Sequence, residues 1–248
     1  MLLSTLLILA TPIASFARSL CITHAGDKEM ELKNSMASFR SAYRRGANGT
    51  ELDVRHTKDR VAIISHDVDL SEVAQSKPSR NCPLQTKVSD MTFETIRTEC
   101  QLVNGEEVPT LQEVFEEFAD KDFYILLDLK DQPRKGTIRL INEYAKNSSI
   151  HIRSLINFAS DLSALMTLRS RIHTPCYLSN GKYIPLSDLI FDGVDVATIT
   201  DKQLKALQRR GKTISFYGAS DPTSLARVFG IGVDLITTDT LALCQQFQ

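Results

Sequence analysis

Between Gly49 and Asp67 the chain reads GTELDVRHTKDRVAIISHD, and no other stretch restricts the fold as much. Glu51 and Asp53 stand two residues apart in a run with strand character, so alternation puts both carboxylates on one face. Like charges held side by side repel, and oxygen donors of this kind suit a hard cation such as Ca²⁺ or Mg²⁺. Val61–Ser65 is a second strand-like run, apolar, and it ends in His66-Asp67. A histidine closing a buried strand stands where strands meet loops, the usual place for catalytic groups in an α/β fold.

At 248 residues the chain is long enough to bury a large single core. Its 29 basic residues nearly balance its 30 acidic ones, which argues against nucleic acid or an anionic membrane surface as partner. Leu2–Ala10 is nearly all apolar but too short to span a bilayer. Ser15-Phe16-Ala17 places small residues where a signal peptidase needs them. The expectation is a signal peptide over residues 1–17. A single domain over 18–248 follows, without a transmembrane segment in the mature chain and secreted or periplasmic. Export permits disulfides. The cysteines are Cys21, Cys82, Cys100, Cys176 and Cys244, with no zinc spacing among them. Cys82 and Cys100 flank a polar segment read as strandless and are the expected bridge, and five thiols leave at least one over.

Strand-like runs recur along the chain at Ser19–Thr23, Thr50–Val54, Val61–Ser65, Tyr124–Leu129, Ser154–Phe158, Thr213–Tyr217 and Asp234–Thr237. Pro175–Leu178 and Val194–Ala197 are weaker. Helical patterns separate them. Asn34–Arg45 carries Met36, Phe39 and Tyr43 at helical spacing, with Asn34 as expected cap and Gly46 as stop. Thr110 and Glu113 spell a capping box, Thr200 caps a helix that ends at Gly211, and Leu162–Leu168 and Pro222–Phe229 are further helices. Alternating strands and helices imply parallel pairing, and the predicted fold is a TIM (β/α)₈ barrel. A doubly wound open sheet is the alternative, but no Gly-rich phosphate loop supports it. Nine runs are one too many for the barrel, so one of the two weak ones is expected outside it. The link from Asp53 to Val61 is too short for a helix, so one crossover helix is expected to be missing between the second and third strands. Ser71–Cys100, polar and broken by Pro78 and Pro83, reads as a small insertion after the third strand (residues 71–100).

The polar residues fall at strand ends: His24, Glu51 and Asp53, His66, then Asp128 and Lys130 inside YILLDLK. In a barrel such ends converge on one face. Two imidazoles, three carboxylates and a lysine at one mouth suit metal-assisted phosphoryl chemistry, the cation neutralising the phosphate and the imidazoles exchanging protons. His56, in a polar turn, reads as solvated, and His151 and His173 read as structural.

Motif by motif, the chain resembles the glycerophosphodiester phosphodiesterases, members of the phosphatidylinositol phospholipase C-like barrels. The matching pieces are His24-Ala25-Gly26, Asn34-Ser35, Gly46-Ala47-Asn48-Gly49 before Glu51-Leu52-Asp53-Val54, Thr57-Lys58-Asp59, His66-Asp67, Pro109–Val114, Asp128-Leu129-Lys130, Gly211 before Ile214-Ser215-Phe216, and Gly232–Asp239. The resemblance implies a TIM barrel, a divalent cation (Ca²⁺ or Mg²⁺), and hydrolysis of a small-molecule glycerol phosphodiester to glycerol 3-phosphate and an alcohol. Carried over by position, it implies Glu51, Asp53 and Asp128 as metal ligands, His24 and His66 as acid–base pair, and Lys130 on the phosphate side. It also implies Tyr217 as a wall of the substrate pocket.

Three positions depart from the family pattern. Ala25 stands where arginine is usual, Lys33 where glutamate is usual, and Asp128 where the third ligand is usually glutamate. A lysine cannot reproduce an arginine fork, but as a point charge Lys33 is a candidate phosphate contact in place of the missing arginine. Two other functions stay open: a lysophospholipase D acting on one-chain lipids, and a catalytically weak barrel that only binds a phosphoester.

Overall fold

The computed structural model describes residues 19–156, 162–182 and 191–248. The expected signal peptide and its cleavage point after Ala17 lie outside the described residues, as does Phe158.

Eight parallel strands close into a barrel. In chain order they are β1 (Leu20–Thr23), β2 (Gly49–His56), β6 (Tyr124–Leu129), β7 (His151–Ile156), β8 (Cys176–Lys182), β9 (Gly193–Thr198), β10 (Thr213–Tyr217) and β11 (Leu235–Thr238). Closure is made by β1, which pairs with β11 from Leu20↔Leu235 to Thr23↔Thr238 and with β2 at Ile22↔Gly49 and Thr23↔Thr50. Both weak sequence runs, now β8 and β9, are full members of the barrel.

The surplus strand is instead β3 (Ala62–Ile64). It pairs antiparallel with β2, Val54 opposite Ile64 and His56 opposite Ala62. The short Asp53–Val61 link is therefore a hairpin, which needs no crossover, whereas parallel neighbours do. No helix is missing on that count. The second and third barrel strands, β2 and β6, are joined through α3 (Leu111–Phe118), whose Thr110–Glu113 capping box forms as expected. The other crossovers among the described residues use α1 (Met36–Arg44), α4 (Lys135–Asn147), α5 (Leu162–Arg169), α6 (Asp201–Arg209) and α7 (Pro222–Ile231), and α8 (Leu241–Gln245) ends the chain.

The main core lies between strands and helices, built from residues such as Phe39, Leu52, Val54, Phe115, Leu127, Val196 and Ile236. A smaller cluster of Ile22, Leu126, Leu155, Tyr177 and Leu235 fills the barrel below the mouth. Gly49 makes room there, since a Cβ on it would stand 2.4 Å from the Tyr124 carbonyl oxygen and 2.9 Å from Ile22 Cδ1.

The segment after β3 is more ordered than its composition suggests. It holds β4 (Ala74–Ser76) paired antiparallel with β5 (Cys100–Leu102), a 3₁₀ turn at Val88–Asp90, and α2 (Phe93–Glu99). Ile63, Leu70, Val88, Met91, Ile96 and Val108 give it a core of its own. The expected Cys82–Cys100 disulfide forms, with Cα atoms 4.9 Å apart. A second bridge, Cys21–Cys244, ties β1 to α8 across 223 residues of sequence, and Cys176 is buried and free. Among the described residues no helix is long and apolar enough to cross a membrane.

Candidate active site

The Glu51-Leu52-Asp53 alternation on β2 and the lone carboxylate of β6 meet because Asp53 and Asp128 are register partners on adjacent strands. Glu51, Asp53 and Asp128 each offer an oxygen within 4.8 Å of the others. Lys130 reaches back between them, its Nζ 2.9 Å from Asp53 Oδ1 and 2.6 Å from Asp128 Oδ2. Burial opposes the lysine's charge, but the two carboxylates outweigh it and raise its pKa. One ammonium does not balance three carboxylates. Burial, reinforced by Asp53 and Asp128, pushes Glu51 well above the usual carboxylate range, and burial raises Asp128 against the pull of Lys130. An all-oxygen cluster of three carboxylates, two of them held above their ordinary range chiefly by burial, fits a hard divalent cation.

The loop from β1 to α1 braces this cluster. The Ala25 amide donates to Glu51 Oε2 at 3.0 Å, and Asn34 Nδ2 donates to Asp53 Oδ2 at 2.6 Å. Asn34 is therefore not the helix cap; Ser35 is, and it bonds the Ser38 amide. Ala25 and Asn34 have φ of 54° and 57°, a conformation asparagine tolerates better than alanine. Gly26, at φ 85°, is confined further, because a Cβ would fall 2.1 Å from Ser38 Oγ.

His24, Glu51, His66, Asp128, Lys130, Leu155, Ser179, Asp195, Tyr217 and Thr237 line one cavity of about 370 Å³ at the C-terminal end of the strands. Six of the eight residues singled out from sequence thus line it, and Asp53 joins them through its contacts with Glu51, Asp128 and Lys130. The eighth, Lys33, is not in the cavity lining; its Nζ faces Glu72 of the insertion at 3.6 Å. Tyr217 is part of the cavity lining.

Several neighbours escaped the sequence reading. His24 Nδ1 lies 2.7 Å from Asp239 Oδ1, and Lys28 Nζ lies 2.6 Å from the same oxygen. Those two partners hold the Asp239 carboxyl below its ordinary range despite its partial burial. His66 Nδ1 lies 2.8 Å from Asp67 Oδ1, and the Arg55 guanidinium donates two bonds to the His66 carbonyl. Asp195, a lone carboxylate in an apolar run, carried the same signal as Asp128. His56 is a correction: it is 2% exposed, bound by Asp131 on one side and by Thr137 Oγ1 at 2.9 Å on the other. The β2–β3 hairpin turns it inward beneath α4, away from solvent.

The model of the glycerophosphoryl diester phosphodiesterase family matches residues 24–243. The chain belongs to that family. A glycerophosphodiester phosphodiesterase of Caldanaerobacter subterraneus is 34% identical over 154 residues, which are 57% of this chain and 60% of that protein. The chain thus spans less than two thirds of that relative, and 41% of the human glycerophosphodiester phosphodiesterase 1 that it matches at 28% identity. Among solved structures, a phosphodiesterase from Oleispira antarctica in complex with the product sn-glycerol-3-phosphate superposes with a TM-score of 0.73 at 18% identity, covering 92% of this chain and 96% of that one. At that identity the likeness speaks for the barrel fold.

Proposed function

We propose that the chain hydrolyses glycerophosphodiesters, with a divalent cation, to glycerol 3-phosphate and an alcohol. The observation that carries this reading is the carboxylate cluster of Glu51, Asp53 and Asp128, two of whose members, Glu51 and Asp128, line one cavity with both His24 and His66. Ca²⁺ or Mg²⁺ held by the trio would supply Lewis-acid neutralisation of the phosphate oxygens. Lys130 adds a fixed positive charge on the same side. His24 and His66 serve as acid–base pair, one accepting the nucleophile's proton and the other protonating the leaving oxygen. Asp239 and Asp67 each accept at Nδ1, which leaves Nε2 of both rings to exchange the proton. The departures from the family pattern are compatible with turnover. Position 25 contributes its backbone amide to Glu51, and Asp128, though shorter than glutamate, reaches the other two carboxylates.

A lysophospholipid substrate is the second reading. Met30 and Val68, in the loops that follow His24 and His66, are 64% and 53% exposed. Exposed apolar side chains on these two loops suit an acyl chain. Export to the periplasm or medium is part of the proposal, and two disulfides support it. The test is turnover by purified protein of a panel of glycerophosphodiesters and lysolipids, with Ca²⁺, Mg²⁺, Mn²⁺ or chelator. Metal-dependent release of glycerol 3-phosphate is expected, and a chelator-insensitive reaction or none would sink the reading. Mass spectrometry of the expressed protein's amino terminus tests the cleavage after Ala17.

A further inference from the structure

The acidic trio is braced by the short loop that leaves β1, and that loop has a fastening of its own. Residues 24–28 carry His24, the Ala25 amide on Glu51 Oε2, and Lys28 beside Asp239. Between them sits Asp27, a carboxylate only 1% exposed, whose bonds go outward to α1. Both its oxygens accept from Arg45 Nη1, at 2.7 and 2.8 Å, and Oδ2 also accepts from Ser41 Oγ at 2.7 Å. The Asp27 amide donates to the Ser38 carbonyl at 3.1 Å. Ser41 is a buried residue of α1 and Arg45 is its C-cap. Neither Asp27 nor Arg45 is among the described residues of the cavity lining.

The loop needs such a fastening. Ala25 stands at φ 54° without the side-chain hydrogen bonding that lets asparagine adopt this conformation, and the Asn34 amide closes the far end on the Ala25 carbonyl at 2.8 Å. Conformations of this kind persist only where their surroundings over-determine them. Packing of Gly26 on Ser38 holds the loop close to α1, but packing has little direction. A short charge-assisted pair does have direction. A buried carboxylate is also tolerated only while it stays paired, so Asp27 is committed to Arg45. A chain that must bring Asp27 to Arg45 also brings the amide two residues earlier to Glu51.

We propose that the Asp27–Arg45 pair is a positioning device for the site: it fixes residues 24–28 so that the Ala25 amide stays on Glu51 and His24 stays on Asp239, and it thereby sets how tightly the trio holds its cation. As to turnover this rests on the phosphodiesterase reading above; the attachment of the loop does not. Breaking the pair alters no group in the cavity. It frees the loop that carries the groups, so cation affinity and kcat fall together while KM at saturating cation changes little.

The test combines calorimetric titration with Ca²⁺ and Mg²⁺, hydrogen exchange of the peptide that contains Ala25, and kinetics on sn-glycero-3-phosphoethanolamine at saturating cation. Asp27→Asn and Arg45→Met each remove one partner. Arg45→Lys keeps the charge, and because Arg45 reaches both oxygens through one nitrogen, a lysine can serve there. Arg40→Met is the control, since it breaks the pair that the same helix makes with Glu117 of α3. Asp27→Asn and Arg45→Met are expected to weaken cation binding about tenfold, speed exchange at Ala25 about tenfold, and lower kcat about tenfold with KM within about threefold. The double variant should be no worse than either single one, because the same interaction is lost in all three. Arg45→Lys should stay within about threefold of wild type, and Arg40→Met should match it. A lower melting temperature with wild-type cation affinity and exchange would make the pair merely structural and overturn the proposal, as would equal effects in Arg40→Met. If Asp27→Asn does not fold, Arg45→Met against Arg45→Lys decides. If the wild type binds no cation or turns over no phosphodiester, the reading above fails, and exchange at Ala25 alone decides the fastening.

Discussion

The two halves of the barrel mouth are built differently. The half formed by β1, β2 and β6 concentrates charge: His24, Glu51, Asp53, Asp128 and Lys130, with His66 arriving on the β3 hairpin. The half formed by β8 to β11 offers hydroxyls, one deeply buried carboxyl and the Tyr217 ring, without a cation among the described residues of the cavity lining. The difference separates two tasks. On the proposed reading, charge in a low-dielectric cleft would act on the reacting phosphate, while the neutral groups opposite add polarity without charge. Substitutions in the first half should therefore strike turnover hardest.

The largest effect is expected at the trio. Glu51→Gln and Asp53→Asn should each lower kcat/KM by at least about a thousandfold, since several kcal/mol of charge stabilisation is removed. Metal titration by calorimetry should show weakened binding in both. Melting temperature in chelator should not fall with Glu51→Gln, because that carboxyl is already held above its usual range by burial and its neighbours. A marked loss of stability without metal would mean that the trio is structural.

The histidines come next. His24→Ala and His66→Ala should each cost at least about a hundredfold in kcat with KM little changed. If both single variants keep near wild-type turnover, the acid–base assignment is wrong and the charged half only binds.

Asp239 crosses the divide, since it follows β11 in the second half yet holds His24 of the first. Asp239→Asn should lower kcat by about tenfold, the loss of one charge-assisted bond that orients the ring. The pH dependence has a definite sign. The folded-state pKa of Asp239 is depressed, so its contribution is fully present above the ordinary carboxylate value near pH 4 and lost as pH falls through the folded value. The ratio of wild-type to variant kcat should thus be flat from about pH 5 to 8. A ratio that narrows already at pH 6 would show that Asp239 does not act as the charged partner.

The same division marks what could be read from sequence. Glu51, Asp53, His66 and Asp128-Lys130 lie in short local patterns whose strand periodicity alone places them inward, and the charged half was legible for that reason. The second half depends on register between distant strands. Asp195 stands opposite Glu51 only because the sheet closes, and Asp239 meets His24 only because β11 pairs with β1. Closure also brings Cys21 to Cys244, a pairing that no spacing encodes. The misread hairpin has a local cause. Val61–Ser65 is apolar because it packs on both the barrel and the small core of the insertion, and burial on two sides imitates a barrel strand.

The smallest effect is expected at Lys33, and it sharpens the comparison by locating the edge of the charged half. From sequence, a lysine near the missing arginine of position 25 was a candidate phosphate contact. In the structure its ammonium faces Glu72, 3.6 Å away, and both side chains are substantially exposed. An exposed pair of this kind contributes about 0–1 kcal/mol and is screened by salt. Position 25 is also occupied differently from a simple loss: its amide already serves Glu51, and at a φ of 54° a side chain there leaves the backbone in a direction set by the loop. Lys33→Ala and Lys33→Glu should therefore change KM for a glycerophosphodiester by less than about twofold even at low ionic strength. Ala25→Arg should not depend on which residue stands at 33. A KM rise of about tenfold in Lys33→Ala, reversed by Ala25→Arg, would move the boundary outward and make Lys33 part of the phosphate site.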